Sequence, residues 1–344
     1  MSQTNPEADV NPWAARYIDL LNEKYGGQAL SCSDDFFATK DNLVKNSKPI
    51  FIEDKYTNHG KWMDGWESRR RRDGGYDWCI LRMGLPGKLH AIAVDTTHFK
   101  GNAPASVSIE ACFSKQDPDE STQWTQIRAN SLIRPDRLNI LEIYSEQVWT
   151  HLRLNIFPDG GVARLRAYGE PWLDWSHLLP GELVDLAASV NAGQALACSD
   201  MFFSSMNNLL APGRAANMGD GWETKRRRGT GYDWAIIKLG SKGVIKKIEV
   251  DTNHFKGNYP DQFSLEATCT DKDDLTTYDI EWKTLIGKTK LGPNRRHFYQ
   301  DEISDRDTAF THVRLNIYPD GGVSRLRIYG YPECNTPQDA PDET

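Results

Sequence analysis

The sequence predicts an all-β protein made of two tandem jelly-roll β-sandwich domains, each preceded by a short helix. Three observations carry that prediction. The first is internal duplication with order preserved. GQALSCSD at 27–34 returns as GQALACSD at 193–200, DGWESRRRR at 64–72 as DGWETKRRR at 220–228, and VDTTHFKGNAP from Val94 as VDTNHFKGNYP from Val250. HLRLNIFPDGGVARLRAYG, from His151, is repeated from His312 as HVRLNIYPDGGVSRLRIYG. The second is a series of short segments rich in β-branched and aromatic residues, with turn residues between them. The third is alternation in the last segment, where Leu152, Leu154 and Ile156 interleave with His151, Arg153 and Asn155.

A chain of 344 residues accommodates two domains of about 150 residues each. The repeat period far exceeds the roughly 20–50 residues of a solenoid unit. The motifs divide the chain into a flexible N-terminus (1–12), a first repeat (13–171), a linker (172–180), a second repeat (181–331) and a disordered acidic tail (332–344). Asn11 and Pro12 offer an N-cap and a first helical residue for WAARYIDLLNEKY, which closes at Gly26 and Gly27. ELVDLAASV, between Gly181 and Gly193, is its counterpart, with Asp185 matching Asp19. Strands are then expected at 78–83, 88–95, 106–113 and 150–157. PDGG turns the chain, and the return strand sends Leu165 to the core and Arg164 and Arg166 to a polar face. Arg325 and Arg327 repeat that pattern in the second copy.

A net charge of −7 argues against nucleic acid as a partner. No apolar run approaches the ~20 residues of a membrane span, and MSQTNPEADV lacks the basic-then-apolar order of a secretion signal. The expectation is a soluble cytoplasmic protein with no membrane partner. Its six cysteines form no CxxC pair and share only Cys32 and Cys198 between repeats, which points to free thiols rather than a disulfide framework. No metal or cofactor is expected.

Three polar constellations are candidates for chemistry. In DGWESRRRR, alternation sends Arg70 and Arg72 one way and Arg69 and Arg71 the other, either as a solvated face or as a bidentate carboxylate grip beside Glu67. DTTHFKGN places Asp95, His98, Lys100 and Asn102 near a strand end. There His98 is a general acid or base, a metal ligand with Asp95 but without an obvious third, or a structural turn residue. The polar face of the final hairpin reads as a salt-bridged exterior or a subunit contact. There is no GxSxG, P-loop, GxGxxG or HExxH motif. The copies also differ: Gln28 to Trp66 spans 38 positions, whereas Gln194 to Trp222 spans 28. The extra ten, around SKPIFIEDKYTNHGKW, bring His59 to the first repeat alone, while His297 is private to the second. Diverged copies point to one working site and one supporting domain.

The run DGWESRRRR, YDWCILRMG, VDTTHFKGN and PDGGVARLRAYG, with its second copy, resembles the allantoicase repeat over residues 15–331. The resemblance implies a galactose-binding-like jelly roll in each half, a homo-oligomer, and hydrolysis of allantoate to ureidoglycolate and urea in purine breakdown. Such chemistry needs an arginine for the carboxylate, an acid for the leaving nitrogen, a base for water, and donors and acceptors for a urea group. On motif position, the candidates are Arg70 or Arg226 as clamp, Glu67 or Glu223 with His98 or His254 as acid and base, and Asn102 or Asn258 for urea. The alternative is a non-catalytic carbohydrate- or ligand-binding module, which an exposed Trp66 or Trp222 would favour.

Overall fold

The structure is a computed structural model that describes residues 11–179, 181–272 and 274–333. The expectations of a flexible N-terminus and a disordered tail fall mainly on 1–10 and 334–344, outside the described residues. Contacts group the described residues into two compact units, one of residues 18–172 and the other of residues 11–17 with 173–333.

In the first unit one long strand, Asp77–Asp95, belongs to both layers of a sandwich. Its first half pairs with Gln28–Cys32 and Val148–Phe157, its second with Leu138–Glu142 and Arg164–Pro171. Ser106–Cys112 and Thr125–Leu132 extend one layer, and Ile18–Asp19 edges the other, all antiparallel. Two strands were expected between 78 and 95, but the backbone runs straight through. Gly87 permits this, since a Cβ there would lie 2.2 Å from the Glu170 carbonyl oxygen. Alternation then fills the space between layers. Leu81, Leu89, Ile92, Val94, Leu152, Leu154, Ile156 and Leu165 are fully buried in one cluster, each contributing about 1.5–3 kcal/mol.

The second unit repeats the plan around Asp233–Asp251. That strand pairs with Gln194–Cys198, Ala309–Tyr318, Arg296–Tyr299 and Arg325–Pro332. The all-β, tandem jelly-roll expectation holds, but its opening helices are reduced. An α-helix covers only Pro12–Arg16, capped by Asn11, and the chain continues as the strand Ile18–Asp19 and a 3-10 turn, Glu23–Tyr25. The second copy opens with the strand Val184–Asp185 and a 3-10 turn, Ser189–Asn191. Sheet pairing wins over local amphipathicity because the buried Asp19 carboxylate accepts from Ala167 N at 2.9 Å and Leu21 N at 3.2 Å. Asp185 does the same for Ile328 N and Ala187 N.

The polar face of the final hairpin is salt-bridged, as expected, but largely buried rather than an exterior. His151 is 2 % exposed and Asn155 4 %. Asn155 Nδ2 donates to Glu110 Oε2 at 2.8 Å and to Ser108 Oγ at 3.1 Å, and Arg153 Nε donates to Glu110 at 2.6 Å. Arg314, Asn316, Glu266 and Ser264 reproduce this in the second unit.

Candidate active site

Glu67 ends a two-residue strand, Trp66–Glu67, that pairs with Gly161–Val162 in the PDGG turn. Trp66 is fully buried and its Nε1 donates to the Asp34 carbonyl at 2.8 Å, which fixes Glu67 at the rim of the core. Ser68 N donates to the Gly160 carbonyl at 3.1 Å. Beneath lies Phe99, fully buried, so close that a Cβ on Gly161 would meet its ring at 2.0 Å. The turn carrying Phe99 thereby brings His98, Lys100 and Asn102 up beside Glu67. Asn102 Nδ2 donates to Glu67 Oε1 at 2.6 Å. Burial pushes the Glu67 carboxyl above its ordinary range, and the Asn102 hydrogen bond only partly opposes this.

His98 has φ +73°, a left-handed conformation unusual for a residue with a side chain, and its N–H donates to Asp136 Oδ1 at 2.8 Å. The second copy keeps the same strain at His254, φ +69°, with Asn294 as acceptor. The same strained turn is thus built into both repeats.

These side chains line a cavity of about 410 Å³ with Phe37, Phe51, His59, Lys61 and Met63, a size within the ~300–1,000 Å³ typical of small-molecule sites. Phe51, His59 and Lys61 come from the insertion. Its ends are fastened by Arg164, 1 % exposed, which donates to the Ser47 carbonyl at 2.9 Å, the Asp64 carbonyl at 2.9 Å and Asp64 Oδ2 at 2.7 Å. Between the fastenings, Tyr56–Thr57 and Gly60–Lys61 form a small hairpin, with the Lys55 ammonium 3.8 Å from the Trp62 ring centroid. His59 Nδ1 lies 2.8 Å from the Phe36 carbonyl oxygen, and the two rings stack at 4.2 Å.

The second unit keeps the pair Glu223–Asn258, at 2.5 Å, and the same fastener, with Arg325 donating to Asp220 Oδ2 at 3.0 Å. Its loop is shorter and lies differently. The Ala215 carbonyl is 2.8 Å from His254 Nε2 and accepts from Asn253 Nδ2, and Met218 Sδ sits 3.9 Å from Asn258 Nδ2. The private His297 is structural: its Nε2 accepts from Gly292 N at 2.8 Å and its Nδ1 meets the Val250 carbonyl at 3.0 Å.

Of the residues singled out in the sequence, the structure gathers Glu67, His98 and Asn102 around the cavity, and Glu223 with Asn258 at the matching place. Arg70 and Arg226 are exposed, and Arg70 is not among the cavity-lining residues. Alternation is visible here. Arg69 is held by Asp34 and Arg71 by Asp73 and Asp77, leaving Arg70 and Arg72 to solvent. The cavity's cations are Lys61 and Lys100. Asp95 accepts from Thr97 N at 2.9 Å and Asp251 from Asn253 N at 2.9 Å, so both serve the turn. Among the described residues no three His, Cys, Asp or Glu are grouped to hold a metal ion. Trp66 and Trp222 are core residues, so neither supplies the exposed aromatic platform of a sugar-binding module. Motif reading passed over Lys61, Phe51 and a role for His59; the length difference between copies was the signal that pointed to them.

Fold and cavity together define a class: a duplicated jelly-roll protein with a carboxylate, imidazoles and ammonium groups around a small cleft, a set suited to acid–base hydrolysis. Comparison with known proteins carries this further. The Allantoicase repeat family model matches twice, at residues 18–172 and 184–333. The allantoicase of Dictyostelium discoideum is 46% identical over 340 residues, covering 96% of this chain and 91% of that protein. A probable allantoicase of Photobacterium profundum is 47% identical, covering 92% and 97%. The crystal structure of Saccharomyces cerevisiae allantoicase superposes with a TM-score of 0.74 at 37% identity, covering 91% of this chain and 93% of the other. The chain belongs to the allantoicase family.

Proposed function

We propose that the cavity of the first repeat hydrolyses allantoate to ureidoglycolate and urea, a step of purine degradation. The observation that carries this reading is Glu67, with its proton affinity raised by burial, facing a cavity with two imidazoles, a carboxamide and two ammonium groups. Allantoate is a carboxylate whose α-carbon bears two urea groups. Lys61 and Lys100 supply the positive charge for its carboxylate, and the Asn102 carbonyl oxygen accepts from a urea N–H. In the first step a cationic imidazole gives its proton to the leaving urea nitrogen. Glu67 takes the N–H proton of the retained urea, whose lone pair forms C=N as the other C–N bond breaks. In the second, water adds to the same carbon and gives its proton to the imidazole. Glu67 returns its proton to nitrogen, and both groups end as they began. The burial that raises Glu67 makes it a stronger base toward a urea N–H.

A homo-oligomer in the cytoplasm, without nucleic-acid or membrane partners, completes the reading. Free thiols at Cys32, Cys79, Cys112, Cys198 and Cys269 support a reducing compartment, and the exposed Leu132 and Tyr144 support a subunit contact. Among the described residues no helix is long and apolar enough to cross a membrane. The test is incubation of the purified chain with allantoate and measurement of urea and ureidoglycolate. Absence of turnover by the unmodified chain overturns the function, and full turnover by Glu67→Gln overturns the site. Sedimentation velocity reads the subunit number.

A further inference from the structure

Two imidazoles line the cavity, His98 from the duplicated turn and His59 from the insertion. We propose that His59 is the catalytic residue that protonates the leaving urea and then deprotonates water, and that the insertion is what makes the first repeat the working copy. This rests on the hydrolytic reading of the cavity given above.

Three observations single out His59. Its orientation is fixed: Nδ1 lies 2.8 Å from the Phe36 carbonyl oxygen and the ring stacks on Phe36 at 4.2 Å. A carbonyl only accepts, so Nδ1 keeps its hydrogen in both protonation states and Nε2 is the atom that gains and loses the proton. Second, the anchor is registered to the catalytic carboxylate. The segment that presents the Phe36 carbonyl continues into Phe37 and Ala38, whose N–H groups donate to the Glu67 carbonyl at 3.2 and 3.3 Å. One stretch of backbone therefore sets the positions of both proton-transfer groups. Third, the second copy serves as an internal control. It retains the turn histidine with the same left-handed φ, yet that ring lies against the Ala215 carbonyl at 2.8 Å, so the duplicated histidine is compatible with a purely structural role. No histidine occurs between Gly213 and Asp220 to replace His59.

In the reaction, Nε2–H of the His59 imidazolium protonates the urea nitrogen as the C–N bond breaks and the electron pair leaves with urea. The neutral imidazole then takes a proton from water as the C–O bond forms, restoring the imidazolium. The charged and titratable groups around it are Glu67, His98, Lys61 and Lys100 on the cavity wall, and Arg69, 5.1 Å from the Phe36 ring centroid.

The experiment compares the unmodified full-length chain with His59→Asn, His59→Gly and His98→Asn, measuring urea release from allantoate across pH. Circular dichroism confirms that each variant is folded. His59→Asn is expected to lower kcat by about 10²–10⁴-fold and to abolish the alkaline fall in activity, which reports loss of the imidazolium. Added imidazole is expected to restore part of the rate to His59→Gly. His98→Asn is expected to keep the alkaline limb. Retention of both rate and limb by His59→Asn, or loss of the limb in His98→Asn alone, overturns the assignment to His59 and leaves the hydrolytic function standing. An inactive unmodified chain overturns the function itself.

Discussion

Replacing Arg164 by methionine, set beside Arg325→Met, separates the stability of the units from the geometry of the cavity. The guanidinium is 1 % exposed and donates to the carbonyls of Ser47, Asp64 and Ala163 and to Asp64 Oδ2. Arg164→Met fills much of the space but removes the donor to the three carbonyls and leaves the buried Asp64 carboxylate facing Lys45, at 3.8 Å, and the Ile50 N–H. Breaking such a buried pair from one side costs about 3–5 kcal/mol, which for a unit of this size lowers the midpoint by roughly 10 °C. Arg325→Met removes the same fastener from the second unit, where the guanidinium is 2 % exposed, and a similar loss is expected there. The two variants should part in turnover. Arg164 holds the ends of the loop that carries His59 and Lys61, and a displacement of about 1 Å there costs on the order of 10²-fold in rate; Arg325 holds a loop that brings no histidine. Calorimetry gives the midpoints, and urea release well below both gives kcat. Equal losses of kcat in the two folded variants would refute the division of labour between repeats. The acid side carries a further check. Burial alone would raise the Asp64 carboxyl, but hydrogen bonds from Arg164 and Ile50 N hold it below the usual range. This stabilisation is complete above the ordinary carboxylate range and is lost as pH falls through the depressed value. Arg164→Met should flatten that dependence.

Glu67→Gln is expected to lower kcat by about 10²–10⁴-fold and Glu223→Gln to leave it nearly unchanged, as read by urea release at fixed pH. Asn102→Ala removes the hydrogen bond that opposes the burial-raised Glu67 carboxyl. With Glu67 in its proposed role as the reactive carboxylate, the acid limb of kcat/KM should move to higher pH. Lys100→Ala is expected to raise KM and Arg70→Ala to leave it alone. The reverse result would return the carboxylate clamp to the arginine run.

Much of the fold was legible because alternation is a local signal: Leu152, Leu154, Ile156 and Leu165 sit where their spacing placed them. The opening segments were misjudged because Asp19 and Asp185 cap a sheet edge formed by residues more than a hundred positions away, which no local pattern reveals. The same limit applied to the final hairpin. Arg153 and Asn155 alternate as a surface would, but Glu110 and Ser108 on the neighbouring strand meet them. In the cavity, Glu67, His98 and Asn102 were found because their motifs recur. Duplication gave Arg70 equal prominence, although it is exposed and does not line the cavity. Phe51, His59 and Lys61 have no counterpart in the second copy, so repetition could not flag them.

The buried arginines also bear on how loop length can change in this fold. Seventeen positions separate Ser47 from Asp64, and seven separate Gly213 from Asp220. In chain-entropy terms, closing the longer loop costs (3/2)RT ln(17/7) more, about 0.8 kcal/mol. That is well below the roughly 3–5 kcal/mol at stake in a buried ion pair. The tether therefore dominates the polymer penalty, and each sandwich tolerates new sequence between its moorings. In the second copy the same mooring holds a short loop, a ready point for grafting residues 48–63 or a designed segment without redesigning the β-core.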